Sequence, residues 1–159
     1  MHNTSNIYIA VISDTHGYLS KALIEQLKKA DIILHAGDID TPGTFSTLKK
    51  LGRLIAVRGN MDMNPAFKDL PSEEMVDIQG TRFYIRHDLS RMDLLPEASD
   101  VDILISGHTH RTTDETHNGV RYLNPGSASL PRMGTPPTMA QITLSEHTDL
   151  RLEWITLEE

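Results

Sequence analysis

The chain has 159 residues, and this length predicts a single domain that spans residues 1–159. Its 22 acidic and 15 basic residues give a formal net charge of −7, which argues against general binding to nucleic acid or to an anionic membrane. Cysteine is absent, so disulfides and thiolate metal sites are excluded, while eight histidines and many aspartates remain as candidate metal ligands.

The sequence offers no segment for membrane insertion. No apolar run approaches the ~20 residues that a bilayer span needs. The apolar residues 7–12 end quickly at Asp14, which favours a first strand over a signal peptide. We therefore expect a cytoplasmic protein.

The first half of the chain alternates predicted strands and helices. Ser20 can cap a helix that ends near Lys29, and Thr41 with the following proline can begin another that ends at Gly52. Three nearly continuous apolar runs are typical of strands buried on both faces: residues 7–12, 32–34 and 54–57. This βαβαβ order predicts a sheet that begins parallel.

The second half favours antiparallel pairs. A short helical stretch near residues 91–98, interrupted by Pro96, leads to another buried strand at residues 101–105. Residues 124–138 form the one long predicted loop. Three strand pairs are predicted, the first around Gln79-Gly80 and the second around Asn118-Gly119: residues 75–78 with 82–85, 114–117 with 120–123, and 139–144 with 150–155.

Metal-ligand side chains directly follow five of the predicted strands. The carboxyl ends of parallel strands are where ligands gather in α/β sheets, and a spacing of two residues lets two side chains reach one ion. Each residue alone has an ordinary interpretation as a turn former, cap or core histidine. Together the five segments predict a metal site that contains Asp14 and His16, Asp38, Asn60, His87, and His108 and His110.

The order Asp-x-His, Gly-Asp, Gly-Asn-x-Asp, His, Gly-His-x-His resembles that of the calcineurin-like metallophosphoesterases. Ser-Asp-Thr-His-Gly at residues 13–17, Gly-His-Thr-His-Arg at 107–111 and Asn-Pro-Gly-Ser at 124–127 make the chain most similar to their compact YfcE-type bacterial phosphodiesterases. The resemblance covers about residues 7–144. It implies an α/β fold in four αββα layers, with two facing mixed β-sheets flanked by helices.

The resemblance also implies a dinuclear site. It assigns Asp14, His16 and His110 to one divalent ion, Asn60, His87 and His108 to the second, and Asp38 to both. Asp38, Asn60 and His108 are expected to act in catalysis. We expect Mn²⁺ as the metal, with Mg²⁺, Ni²⁺, Fe²⁺ and Zn²⁺ as alternatives. Two carboxylates and one bridging hydroxide would leave about +1 of the charge of two divalent ions, enough to attract a phosphate ester.

The predicted function is therefore hydrolysis of a small phosphodiester by attack of a metal-bridging hydroxide. A phosphomonoesterase or nucleotidase on the same site is the first alternative. The second is a non-catalytic scaffold, because the resemblance extends to a subunit of the retromer complex. The net charge disfavours a nuclease for long DNA, and the compact family members suggest a homo-oligomer.

Three features depart from the family pattern. Asp88 stands where a glycine is usual, and it could crowd the second ion or add negative charge there. The segment between His87 and His108 is short, which predicts a reduced helix and an open site. Met61 replaces the histidine that protonates the leaving group in many members, so Asp62 or a metal-bound water becomes the alternative donor.

Three further side chains close to these segments have two interpretations each. His35 could orient a ligand or could be a hydrogen-bonded histidine at a buried strand end. Arg58 and Arg111 could bind substrate phosphate, but for Arg58 an ion pair with an acid such as Asp62 is the preferred prediction.

Overall fold

The protein forms two facing five-stranded β-sheets, as seen in a computed structural model that describes residues 6–131, 134–146 and 149–158. The elements of the first half are β1 Ile7–Ile12, α1 Lys21–Leu27, β2 Ile32–His35, α2 Pro42–Leu51 and β3 Arg53–Ala56. Those of the second half are β4 Glu73–Ile78, β5 Thr81–Arg86, β6 Ile103–Ile105, β7 Thr112–His117, β8 Val120–Pro125, β9 Thr138–Leu144 and β10 Leu150–Thr156.

The first sheet has the order β10-β9-β1-β2-β3. β1, β2 and β3 are parallel, as the βαβαβ pattern predicts, and β9 and β10 extend the sheet in antiparallel fashion. The two helices begin at the predicted caps, because Ser20 accepts from the Leu23 N–H and Thr41 from the Thr44 N–H. Short right-handed crossovers of this kind bring the carboxyl ends of neighbouring parallel strands to one edge.

The second sheet has the order β4-β5-β6-β8-β7. β5, β6 and β8 are parallel, while β4 and β7 pair in antiparallel fashion at the two edges through the predicted hairpin turns. The main core lies between the sheets and includes Val11 and Leu34 from the first sheet and Phe83 and Ile105 from the second. The predicted arrangement of two facing mixed sheets is confirmed.

The outer faces of the two sheets are covered unequally. Helices α1 and α2 pack on the first sheet through Leu23, Leu27 and Leu48. On the second sheet, Tyr84 and Leu104 are covered by a segment with two 3₁₀ turns, Leu89–Arg91 and Pro96–Ser99. The helical stretch predicted near residues 91–98 is therefore these two short turns, because Pro96 cannot donate a helical hydrogen bond and keeps Leu95 extended.

Within the described ranges, neither α1 nor α2 nor any 3₁₀ turn has the length and hydrophobicity required to cross a membrane.

Candidate metal centre

The loops after β1, β2, β3, β5 and β6 lie against one another, and they bring all seven predicted ligands together. Backbone hydrogen bonds hold the loops in place, with 3.0 Å from the Asp14 nitrogen to the Gly37 oxygen and 3.0 Å from the Gly107 nitrogen to the His87 oxygen. The seven side chains form two adjoining groups. We call the set of Asp14, His16 and His110 the first group, and the set of Asp38, Asn60, His87 and His108 the second group.

The first group directs three electron pairs at one point. Asp14 Oδ1 lies 3.2 Å from His110 Nε2 and 3.6 Å from His16 Nε2, and the two Nε2 atoms are 3.2 Å apart. The Leu130 carbonyl lies 2.6 Å from His110 Nδ1. Because a carbonyl only accepts, Nδ1 of a neutral His110 carries the proton and Nε2 presents a lone pair. Asp14 Oδ1 is buried and has no hydrogen-bond partner among the described residues, as a metal-ligand oxygen would.

The second group has the same character. His87 Nδ1 donates to the Ala36 carbonyl at 2.8 Å, so its Nε2 presents a lone pair when the ring is neutral. That Nε2 lies 3.1 Å from Asn60 Oδ1 and 3.2 Å from Asp38 Oδ2, and His108 Nδ1 lies 3.2 Å from Asn60 Oδ1. Asp38 Oδ2 is also 3.8 Å from His16 Nε2, so this carboxylate lies between the two groups. The donor set fits a pair of divalent cations that prefer imidazole and oxygen.

Protonated histidines balance the buried carboxylates when no cation is bound. The pKa of His16 is raised to about 9, first by the Asp14 carboxylate and then, against the effect of burial, by Asp40. Burial opposes the protonation of His87, but Asp38 and Asp14 outweigh it and raise its pKa. Burial also acts to raise the pKa of Asp14 and Asp38, yet the neighbouring histidines lower both values. Cations therefore compete with protons at this centre.

The backbone of the centre is strained. Left-handed conformations are costly for residues with a Cβ, although aspartate and histidine tolerate them better than most. Six residues at the centre have positive φ angles: Asp14 (54°), His16 (46°), Asp38 (64°), Asp40 (73°), His108 (72°) and His110 (60°). Such clusters are found at functional sites.

Two glycines allow the loops to approach this closely. A Cβ on Gly59 would lie 2.1 Å from Asp38 Oδ1, and a Cβ on Gly107 would lie 2.0 Å from Ser13 Oγ. Both distances are far below van der Waals contact, so no other residue fits at either position without moving a loop.

Asp62 joins the loops after β2 and β3. Its buried carboxylate accepts four backbone N–H groups, from Asp38 at 2.9 Å, Ile39 at 2.8 Å, Asp40 at 2.8 Å and Gly59 at 2.9 Å. The predicted ion pair between Arg58 and Asp62 is wrong, because the backbone amides occupy both Asp62 oxygens. The same contacts argue against Asp62 as the proton donor to a leaving group, since its oxygens face the protein interior.

His35 is a hydrogen-bonded histidine at a buried strand end, the second of its two interpretations. Its Nδ1 accepts from the Gly37 N–H at 3.0 Å, so Nε2 carries the proton and donates to Thr15 Oγ1 at 2.9 Å. Burial lowers the pKa of His35 to about 4 and keeps the ring neutral. Through Thr15 it holds the turn that carries Asp14 and His16.

Asp88 adds negative charge close to the second group. Its Oδ1 caps the turn Leu89–Arg91 by accepting from the backbone and hydroxyl of Ser90. Its Oδ2 lies 3.9 Å from Nε2 of His108, the nitrogen on the far side of the ring from Asn60. Of the two predicted effects, the geometry favours added charge over crowding.

Sequence reasoning missed two partners of the ligand histidines. Asp40 Oδ2 lies 3.0 Å from His16 Nδ1 and orients that ring, and its spacing of two residues from Asp38 was an available signal. The Leu130 carbonyl, which orients His110, is a backbone group and leaves no signal in the sequence. The Asn-Pro-Gly-Ser segment shapes backbone, because Asn124 Nδ2 donates to the Gly107 carbonyl and Ser127 Oγ to the Asp14 carbonyl.

Sequence comparison decides the family. Residues 7–147 match the calcineurin-like phosphoesterase superfamily domain. The chain belongs to this family. A probable metallophosphoesterase from Methanocaldococcus jannaschii is 34% identical, over 100% of this chain and 88% of that protein. This membership makes the chain a metallophosphoesterase, a hydrolase of phosphoric esters that uses divalent metal ions, and it confirms the predicted resemblance.

Solved structures share the metallophosphoesterase fold. Vacuolar protein sorting 29 from Cryptosporidium parvum has a TM-score of 0.75 and 21% identity, over 95% of this chain and 98% of that one. A novel archaeal phosphodiesterase has a TM-score of 0.74 and 24% identity, over 94% and 100%. YfcE, a phosphoesterase from E. coli, has a TM-score of 0.71 and 20% identity, over 96% and 100%. At these identities the likeness concerns the fold.

Proposed function

We propose that the protein is a metal-dependent phosphodiesterase with two divalent cations, one held by each group and both held by Asp38. The observation that carries this proposal is the convergence of lone pairs. In each group, histidine nitrogens lie 3.1–3.2 Å from one another or from oxygens of Asp14, Asp38 and Asn60, and these lone pairs repel one another once the rings lose their protons. A cation relieves this repulsion. Bound there, two divalent cations would lower the pKa of a shared water and supply a hydroxide at neutral pH.

The residues of the chain then have separate tasks. Asp38 holds charge between the groups, and its Oδ1 accepts the Met61 N–H at 2.9 Å, which fixes its orientation. The side chain of His108 is 45% exposed, so its free edge can contact a phosphoryl oxygen as charge develops there. Asn60 presents its oxygen to His87 and His108. Water forms the new bond to phosphorus, the ester oxygen leaves with the electrons of the broken bond, and that oxygen takes up a proton.

A diester substrate is favoured over a monoester by the space beside the second group. A cleft of about 600 Å³ opens there, large enough for the organic substituent that a diester keeps on phosphorus after the leaving group departs and that a monoester lacks. Mn²⁺ is the proposed metal because carboxylate and amide oxygens suit it, and the imidazoles keep Fe²⁺, Ni²⁺ and Zn²⁺ as alternatives.

Hydrolysis of matched substrates tests the proposal. We expect the Mn²⁺-loaded protein to contain two ions per chain and to hydrolyse bis(p-nitrophenyl) phosphate with a higher kcat/KM than p-nitrophenyl phosphate. A preference for the monoester would favour the phosphomonoesterase instead. Hydrolysis of neither ester, with two ions bound, would leave the scaffold role suggested by the fold of vacuolar protein sorting 29.

The affinity for Mn²⁺ should depend on pH up to about pH 9. His16 has a raised pKa of about 9, so its proton stabilises the metal-free fold below the ordinary value near 6.5 and is lost as the pH rises through 9. Cation binding must displace this proton. Between pH 7 and 9 we expect the affinity to rise by up to about tenfold per pH unit, measured by competition with a chromogenic chelator.

Asp40→Asn is the matched control for the pH dependence. It removes one of the three carboxylates that raise the pKa of His16, so the plateau in affinity should move to lower pH. An affinity in the wild-type protein that is constant above pH 7 would contradict the prediction.

Met61 makes the rate sensitive to the leaving group. The Met61 side chain is 50% exposed and carries no transferable proton, and general acid catalysis is typically worth ~10²–10⁴-fold. We expect kcat for aryl diesters to fall steeply as the pKa of the leaving phenol rises, and Met61→His to help poor leaving groups most. A flat dependence at saturating substrate would show that another group supplies the proton.

A further inference from the structure

The cleft beside the second group leads away from the first group. Asn60, His87 and His108 line it, whereas none of the side chains of the first group does. A phosphate held between the two groups would therefore direct one of its ester substituents into this cleft. The chemistry of the rest of the lining indicates what that substituent carries.

Three arginines from separate elements line the cleft of a protein whose net charge is −7. Arg58 follows β3, Arg86 ends β5, and Arg91 ends the 3₁₀ turn Leu89–Arg91. A single acidic residue, Asp88, lines it with them. Cations from three elements facing one space favour an anionic ligand, because protein clefts concentrate ions of the opposite sign.

The three guanidinium groups differ in their availability. Arg86 Nη1 is bonded to Glu73 Oε2 at 3.0 Å, and that carboxylate also accepts from the Tyr84 hydroxyl, so Arg86 is committed to the protein. Arg91 is 79% exposed, and its Nε is 3.8 Å from Asp88 Oδ2, which is beyond hydrogen-bond distance. Arg91 is therefore mostly free.

Arg58 is the most available of the three. Its backbone is fixed, because its N–H donates to the Pro71 carbonyl at 2.8 Å. Its side chain is exposed and makes no hydrogen bond or ion pair with any residue in the ranges 6–131, 134–146 and 149–158. Asp62, four positions along the chain, is saturated by four backbone amides. An arginine on a fixed backbone is suited to bidentate recognition of a phosphate.

We propose that the cleft binds a second phosphate group, carried by one ester substituent of the substrate, with Arg58 as its main ligand and Arg91 as its second. This inference rests on the proposed diesterase function and names the class of substrate. A volume of about 600 Å³ is of the size that binds a nucleotide-sized molecule, so a nucleoside bearing both the reacting phosphodiester and a second phosphate fits the space.

Two esters that differ only in that phosphate test the proposal. The first is the p-nitrophenyl ester of thymidine 5′-phosphate, and the second is the same compound with an additional 3′-phosphate. In both, water cleaves the bond to p-nitrophenol, so the leaving group is constant. We expect the Mn²⁺-loaded wild-type protein to show a kcat/KM roughly 10- to 100-fold higher for the second ester, mainly through KM.

Two arginine variants assign the effect to the cleft. In Arg58→Gln the ratio between the two esters should fall towards one, and this ratio does not depend on the fraction of active protein. Arg53→Gln, at the opposite end of β3, removes the same charge outside the cleft and should keep the wild-type ratio. A ratio near one in the wild-type protein, or an unchanged ratio in Arg58→Gln, would overturn the inference while the diesterase function stands.

A binding measurement separates this inference from the proposed function. If neither ester is hydrolysed, the diesterase function fails, and calorimetric titration with thymidine 3′,5′-bisphosphate and thymidine 5′-phosphate then decides the role of the cleft. Tighter binding of the bisphosphate that is lost in Arg58→Gln would support the phosphate site, and equal affinities would overturn it.

Discussion

Asp38→Asn should lower kcat for diester hydrolysis by roughly 10³-fold and should reduce the bound metal to one ion or fewer per chain. Asp38 Oδ2 lies 3.2 Å from His87 Nε2 and 3.8 Å from His16 Nε2, closer to the second group than Asp14 Oδ1, which lies 3.6 Å from His16 Nε2 and 3.9 Å from His87 Nε2. An amide oxygen keeps the shape but removes a full charge from between two cations, and that charge stabilises the site by several kcal/mol.

Elemental analysis and single-substrate kinetics on the same sample measure both effects. Asp77→Asn is the matched control, because Asp77 is an exposed carboxylate paired with Arg82 on β5, away from the centre. Two ions per chain together with near wild-type kcat in Asp38→Asn would refute the bridging role. Loss of metal with retained activity would refute the metal dependence itself.

The largest effect on stability is expected for Asp62→Ala, at roughly 3–5 kcal/mol of the free energy of unfolding. The substitution leaves four backbone N–H groups without their acceptor, two of them on the fully buried or nearly buried Asp38 and Ile39. Single domains have only about 5–15 kcal/mol in total. We therefore expect a much lower denaturation midpoint in urea, with chelator present to exclude metal effects.

Asp62→Asn separates the loss of acceptors from the loss of volume. An asparagine can keep one oxygen for two of the amides, but its NH₂ group faces the other two, so an intermediate loss is expected. Asp69→Ala, at an exposed position before β4, should change the midpoint little. Equal midpoints for Asp62→Ala and the wild-type protein would show that water replaces the carboxylate without cost.

The periodicity of the sequence predicts much of the fold because its local signals agree with the tertiary structure. The caps at Ser20 and Thr41 accept from backbone N–H groups three residues along, and the continuous apolar runs at β1 and β2 match strands that the fold buries. The stretch near residues 91–98 is predicted as one short helix, whereas the structure has two 3₁₀ turns there, with Met92 and Leu94 packed on the cluster that contains Tyr84 and Leu104. Periodicity cannot distinguish these two arrangements.

The candidate site likewise has one part that the sequence predicts and another that it does not. Its ligands are predictable because Asp, His and Asn follow strand ends in a recognisable order. The role of Asp62 is not predictable, since three of the four amides it accepts belong to residues 22–24 positions away, and only the fold brings them to it. The free state of Arg58 has the same origin, because the acid expected to pair with it is used by the backbone of another loop.

The left-handed backbone at the centre bears on attempts to make the protein more heat-resistant. Each such residue is strained by roughly 1 kcal/mol relative to glycine. The residues that hold the proposed ions therefore lower the free energy of unfolding of the metal-free protein. Directed evolution for thermal tolerance in the presence of chelator would therefore select variants with glycine in place of His16 or His108. Selection on turnover in the same library would remove those clones, so the assay, and not the mutagenesis, would determine whether a robust variant remains an enzyme.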